Sequence, residues 1–383
     1  MSLLDAHYTQ EHNIFRESAK RFFERELSPN VEQWEKDGIV PRELWKKFGG
    51  QGFLCPWLPE DYGGVGADFL YSCILMEECA KTHCGGFFFV LHTDVVVPYI
   101  YHFGSEEQKK RYLPGCATGD IITAVAMTEP NAGSDLAAIR TTAVKENGHY
   151  ILNGQKTFIS NGFLSNLVVV AAKTDTKANP PYTGISLFLV EDGTPGFERG
   201  RKLEKVGLHS QDTGEMAFVD CKIPKENLLG EEGKGFQYLM DRLMDERIVA
   251  AMGSQVAAEE AMRLTVDFTK NREVFGRPIS RHQYISFELA KLATEVAVGR
   301  SFVDDLVLMH LNGQKDIMKA SMAKYWVTEM FNRVVAQCLQ FHGGYGYMEE
   351  YPIARMFRDA RVQTIYAGSS EIMLLIISRC MGL

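Results

Sequence analysis

A chain of 383 residues, 45% of them apolar, can build two or three domains, each around a sizeable core. Its 41 basic and 49 acidic residues are well mixed, for a net charge of −8, and no basic stripe invites nucleic acid. No apolar run reaches the length of a membrane span, and the eight cysteines make neither a C-x-x-C pair nor a metal-ligand spacing, so no membrane partner and no metal are expected. The cysteines read as reduced thiols. The start, Met1 to Asp5, carries no basic flank and apolar core, so a cytoplasmic, bacterial-type protein is the default expectation. A mature mitochondrial-matrix protein stripped of its presequence would read the same.

Residues 1–121 read as a helical domain. Thr9 can cap a helix whose Ile14, Phe15, Ala19, Phe22, Phe23 and Leu27 share a face before Pro29. Leu70 to Ala80 and Asp94 to Phe103 read as buried helices, and Ser105 precedes a helix start rich in acid. Residues 122–232 change texture: short β-rich runs at Tyr150–Leu152, Leu167–Ala172, Ile185–Val190 and Met216–Asp220 alternate with turns, which predicts a small β-barrel or sandwich. From 233 to 383 long helical periods return, over Phe236 to about Arg272, His282–Leu311 and Asp316–Phe341, with a shorter helix near the end. This predicts an antiparallel four-helix bundle, and an α+β multidomain chain as a whole.

Two stretches in the middle region suggest a ligand. Ala124 to Asp135 is an apolar strand running into Glu129-Pro130 and a polar turn, a loop of donors and hydroxyls that could hold an anionic or amide-rich group. Lys156-Thr157-Phe158-Ile159-Ser160-Asn161-Gly162 sets an aromatic, an aliphatic and a hydroxyl in a row, as a flat heteroaromatic ring requires. In the third region Leu239, Leu243, Glu246, Ala250 and Gly253 form one helical stripe. A carboxylate there loses water, which lifts its pKa and suits it to proton removal. A salt bridge to Arg247, or a surface charge, fits the same spacing.

Together these motifs resemble the acyl-CoA dehydrogenase family: T-E-P-x-A-G-S-D at Thr128, K-x-F-I-S-N-G at Lys156 and P-E-x-Y-G-G-x-G at Pro59, followed by R-x-x-F-G at Arg272 and Q-x-x-G-G-x-G at Gln340. The resemblance spans nearly the whole chain. It implies an N-terminal helical domain, a middle β-barrel and a C-terminal bundle. It also implies bound FAD, an acyl-CoA substrate, an electron-transfer flavoprotein as acceptor and a homotetramer. The implied reaction takes an α-proton to a glutamate and a β-hydride to flavin N5. The family's usual base motif, I-Y-E-G-T, reads Ile365-Tyr366-Ala367-Gly368-Ser369 here, and alanine cannot take a proton. The isovaleryl and long-chain branches instead place their Glu on the earlier helix before an Arg. Glu246-Arg247, 25 residues before Arg272, matches them. Glu246 is therefore the expected base, Ala367 retains a backbone N–H for the enolate oxygen, and Glu371 is a minor rival.

The resemblance also assigns Met127, Thr128, Phe158, Ile159 and Ser160 to the isoalloxazine. Arg272, Val274, Phe275 and Gln283 go to the pyrophosphate side, with Arg272 serving a neighbouring subunit's cofactor. Gln340, Phe341, His342, Gly343 and Gly344 meet the adenosine diphosphate, and Ser369 and Glu371 complete the shell. Ser134, Arg247, Tyr366 and Gly368 fall on the thioester side. Asp94 departs from the pattern, standing where the family lines its acyl pocket with small or apolar residues. It implies a short, branched or alicyclic acyl group, as in the cyclohexane- and cyclohexene-carboxyl-CoA branch, which Asp94 orients or from which it takes a proton beyond the α-carbon in a 1,4-dehydrogenation of a cyclic enoyl-CoA. A helix N-cap pointing away is the bland alternative. A long-chain acyl-CoA, an oxidase and a non-catalytic flavin-binding protein are the rival functions.

Overall fold

The computed structural model describes residues 2–383. The N-terminal part holds α1 (Gln10–Glu26), α2 (Val31–Asp37), α3 (Arg42–Gly50), α4 (Phe69–Ala80), α5 (Val97–Phe103) and α6 (Glu106–Thr118). Thr9 caps α1 in a reciprocal box with His12, and Ser105 does the same for α6 with Gln108. Of the stripe expected on α1, Ala19, Phe22, Phe23 and Leu27 are buried, but Ile14 is 61% exposed. At about 100° per residue it lies about 130° round the helix from the midpoint between Phe22 and Phe23, on the outer side. The helix expected from Asp94 is instead a π-helical turn, Leu91–Val96, that continues into α5. Pro98 has no N–H for the carbonyl four residues earlier, so the ladder is relieved there. Asp94 lies inside this turn and is no N-cap.

The middle part is one eight-stranded mixed sheet. Its strands are β1 (Thr123–Ala126), β2 (Thr142–Glu146), β3 (His149–Ser160), β4 (Leu167–Lys173), β5 (Ile185–Glu191), β6 (Phe197–Lys202), β7 (Thr213–Pro224) and β8 (Leu228–Leu229). The order is β6-β7-β3-β2-β4-β5-β8, with β1 parallel to β4. The sheet curls about its own core: Tyr150 of β3 meets Phe188 of β5 edge-on at 4.9 Å, although the two strands are not neighbours. Val168 and Val170 of β4 point into that core, while Leu167, Val169 and Ala171 pack on the N-terminal helices. Burial on both faces explains the unbroken apolar run of β4.

The C-terminal part holds α7 (Gly235–Asn271), a short hairpin of β9 (Glu273–Val274) and β10 (Arg277–Pro278), then α8 (Gln283–Leu311), α9 (Ile317–His342), α10 (Pro352–Ala360) and α11 (Ser370–Cys380). α7 is the axis of the molecule. Its apolar residues share one core with α1, α4, α8 and α9, and Leu239 at its start reaches the core under the sheet. No helix is long and apolar enough to cross a membrane. Seven cysteines are buried and Cys380 is exposed, all of them unbridged.

Candidate active site

Glu246 sits in the first half of α7, half-buried, and its Oε2 is buried with no hydrogen-bond partner among the described residues. Burial pushes its pKa up to about 7, against the pull of Arg247 and Lys324. Arg247 is buried beside it. Its guanidinium reaches only the Ser321 hydroxyl, at 3.4 Å, and burial lowers its pKa. The salt-bridge alternative for Glu246 does not form, since among the described residues no charged group lies within ion-pair distance of its carboxylate. Lys324 of α9 joins the two halves of the site. It is fully buried, its ammonium donates to the Gly368 carbonyl at 2.6 Å, and burial lowers its pKa to about 8 while Glu246 opposes that shift.

The chain from Tyr366 to Gly368 is thus held near Glu246. Tyr366 donates to Gln363 at 2.6 Å and stacks on Phe88, and the charge of Glu246 adds to the burial that raises its phenol pKa. Ala367 has a φ of 55°, a conformation that costs a non-glycine residue. Its N–H has no acceptor among the described residues, so it is free to donate to a ligand. Ser369 caps α11. Glu371 is exposed at that helix N-terminus, with its pKa lowered first by the Ser369 hydroxyl, which is a poor setting for a base at neutral pH.

The T-E-P loop is fixed from beneath. Lys156 is buried and donates to the Met127 carbonyl at 3.0 Å and to Glu129 at 2.8 Å; Glu129 in turn accepts from the Arg140 and Thr141 amides. The Thr157 amide donates to the Thr128 carbonyl at 3.0 Å, which ties β3 to the loop. A register shift between Lys156 and Ile159 then throws Phe158 out, 68% exposed at a φ of 59°, while Ile159 is buried beneath. A strained, uncovered aromatic beside the half-buried Met127, Thr128 and Ser160 fits a flat ring lying on it. Ser134 is exposed farther along the same loop.

A second set meets elsewhere. Arg272, Val274 and Phe275 face Gln340–Gly344 across a cavity of about 760 Å³. A Cβ on Gly343 or Gly344 would meet nothing within 4 Å, so this surface is open to a ligand. Arg272 has no ion-pair partner among the described residues; its nearest aromatic neighbour is Tyr345, whose ring centroid lies 5.5 Å away. An unpaired guanidinium over bare glycine backbone fits a diphosphate. Gln283 is exposed between the lining residues His282 and Tyr284. No residue of β1 or β3 lines this cavity, so the two sets lie apart on the chain.

Asp94 lines a cavity of about 190 Å³ between α5 and α7. It is 6% exposed. Ser72 donates to its Oδ1 at 2.7 Å, its Oδ2 has no partner among the described residues, and burial raises its pKa to about 7. Arg242 and Asp245, an ion pair at 2.9 Å, face it from α7. Tyr99 of α5 is buried nearby: its hydroxyl has no partner among the described residues, and Glu246, Arg242 and Asp245 all act on it. The sequence reading missed Lys324, Tyr99 and the Arg242–Asp245 pair. Only Lys324 left a trace, a cation spaced with Ala320, Ala323 and Val327 on an otherwise apolar face.

Models of the acyl-CoA dehydrogenase N-terminal, middle and C-terminal domains match residues 9–120, 124–221 and 233–382. The chain is 48% identical over 372 residues to a mitochondrial long-chain specific acyl-CoA dehydrogenase of Sus scrofa, covering 97% of this chain and 86% of that one. It superposes on an acyl-CoA dehydrogenase from Geobacillus kaustophilus with a TM-score of 0.97 at 54% identity, over 100% of both chains. A glutaryl-CoA dehydrogenase from Mycobacterium smegmatis in complex with FADH2 superposes at 0.91 with 30% identity, over 98% and 96% of the two chains.

Proposed function

This chain belongs to the acyl-CoA dehydrogenase family, and from that premise we propose that Glu246 is the base that takes the α-proton of a bound acyl-CoA. Like its relatives, it is an FAD-dependent oxidoreductase of acyl-CoA thioesters. The flavin, when bound, supplies the two-electron acceptor for the β-hydrogen. Met127, Thr128, Phe158, Ile159 and Ser160 would hold its ring. Arg272, Val274, Phe275, Gln283 and Gln340–Gly344 would hold the adenine nucleotide end of a cofactor seated on a neighbouring subunit, within a homotetramer. Electrons would leave to an electron-transfer flavoprotein.

One observation carries the reading: a buried, unpartnered carboxylate oxygen beside the loop whose Ala367 N–H has no acceptor. A thioester carbonyl taking that N–H acidifies its α-carbon. A carboxylate poised near neutral pH can then accept the proton. Lys324 fixes the spacing through the Gly368 carbonyl. The product from an unbranched substrate is a trans-enoyl-CoA.

The acyl group we propose is short, branched or alicyclic, because a buried carboxylate at Asp94 would be desolvated by a long alkyl tail. The printed name of the Sus scrofa relative favours a second reading, a long-chain substrate. Anaerobic bleaching of the bound flavin by straight, branched and cyclic acyl-CoAs separates the two. Glu246→Gln should abolish bleaching with every substrate, and Glu371→Gln should not. A flavin that no acyl-CoA bleaches marks a binding protein, and oxygen uptake at turnover rate marks an oxidase.

A further inference from the structure

Lys324 is fully buried on the inner face of α9, in line with Ala320, Ala323 and Val327. Its ammonium has three donors. One goes to the neutral Gly368 carbonyl at 2.6 Å, and among the described residues no carboxylate lies within ion-pair distance. Five residues on, Glu329 accepts from the Ser370 hydroxyl at 2.6 Å, so α9 also grips the loop where α11 begins. A neutral donor at 324 would complete that grip and cost less to bury than a cation. The grip therefore does not account for the charge. Carboxylates act on the ammonium from beyond ion-pair reach: Glu246 of α7, Glu329 of α9 and Glu371 of α11, with Arg247 opposing them. Glu371 is exposed and Glu329 is already hydrogen-bonded, whereas Glu246 buries an oxygen without a partner among the described residues. Between buried groups a charge is felt most strongly.

We propose that Lys324 is a positioning residue with two tasks in the proton transfer: its bond to Gly368 holds the turn that presents the Ala367 N–H, and its buried charge stabilises the anion that Glu246 and the enolate share. The turn needs a hold. Ala367 and Gly368 have φ of 55° and 89°, two left-handed residues in succession, and a Cβ at 368 would strike Met373. In the transfer the α C–H bond breaks, its proton goes to Glu246 and its electron pair to the thioester oxygen, so the total charge is unchanged. A fixed cation on this side favours the anionic pair whichever group bears the charge. This rests on the reading of Glu246 as base and adds a residue that tunes that same site.

The test uses the FAD-loaded full chain with 3-thiabutanoyl- and 3-thiaoctanoyl-CoA, which can lose an α-proton but have no β-hydrogen to give the flavin. An enolate stacked on oxidised flavin absorbs at long wavelength, and a pH titration of that band reads the one proton that the complex must shed. Lys324→Met and Lys324→Gln should both raise the midpoint by about one unit or more, because the anionic pair loses its cation. Lys324→Arg keeps the charge and should leave the midpoint within about half a unit. Lys324→Gln, which can still donate to Gly368, should reduce its flavin with butyryl- or octanoyl-CoA about tenfold faster than Lys324→Met above both midpoints. Midpoints unmoved or lowered in both neutral variants would overturn the proposal, as would a wild type without the band at any pH. Should the neutral variants lose FAD, Lys324→Arg decides: an unmoved midpoint upholds the proposal and a rise of about a unit overturns it. Glu246→Gln should show no band at any pH. A band persisting there would remove the assigned base, whereas a band absent there and unmoved by the neutral variants would overturn the role of Lys324 alone.

Discussion

Around Asp94 the molecule buries polar atoms without partners, whereas at the far end of α7 it leaves apolar side chains uncovered. The first cavity is small, and two residues that line it, Asp94 and Arg242, each bury a polar atom without a partner among the described residues, with the Oε2 of Glu246 in the same condition one turn along α7. The second is four times larger in volume and opens between Phe275, 96% exposed, and Tyr284, 67% exposed. Unsatisfied polar atoms make a site selective, because only a ligand of the right hydrogen-bonding pattern relieves them. Uncovered rings make a site adhesive, because any apolar surface relieves them. We read the first kind as the place of chemistry and substrate choice, and the second as the place of cofactor retention and subunit contact.

The sharpest break of that division is Glu246→Gln, which should lower kcat about a thousandfold while leaving flavin content and thermal unfolding unchanged. Stopped-flow flavin reduction checks it, and a comparable loss of bound flavin would merge the two regions. With Glu246 as base, the wild-type rate should climb as pH rises through about 7, where the carboxylate ionises. Glu246→Gln/Ala367→Glu asks whether the base can return to the loop; it should recover activity to within roughly a hundredfold of wild type, and no recovery would mean that Ala367 does not face the substrate. Arg272→Ala should weaken flavin retention roughly tenfold, read as the flavin-to-protein ratio after gel filtration, with the reduction rate of the flavin that remains unaltered.

The smallest effect concerns stability. Burial raises the folded-state pKa of Asp94 to about 7 from its ordinary 3.8, so its favourable contribution is complete below that ordinary value and is lost as pH rises through the folded value. Asp94→Asn does not titrate. Above pH about 7 it should unfold at higher denaturant than wild type, by roughly 1–3 kcal/mol, and the gap should close in acid. A gap that widened in acid would mean that Asp94 is held as a stabilised ion.

Elements with a two-sided or clean one-sided pattern could be read directly from the residues. β4 and β5 are apolar on both faces, α7, α8 and α9 carry long apolar stripes, and Asp316 caps α9. β2, Thr-Ala-Val-Lys-Glu, and β6, Phe-Glu-Arg-Gly-Arg-Lys, were not visible, because their charges face solvent and only pairing with β3 and β7 makes them strands. α10 and the β9–β10 hairpin were too short to show a period. At the site, Glu246 stood out because it interrupts an apolar stripe. Tyr99 and Lys324 did not, since their meaning depends on contacts with chain far away in sequence.

The π-helical turn at Leu91–Val96 is a length variation as much as a shape. Removing one residue there would let the backbone settle into ordinary α geometry, and every side chain before the deletion would rotate by about 100° relative to α5. Asp94 would swing out of its cavity with no change to its own codon. With Asp94 at the acyl pocket as proposed, substrate preference would drift by insertion and deletion at a single helical turn, leaving the proposed base on α7 untouched.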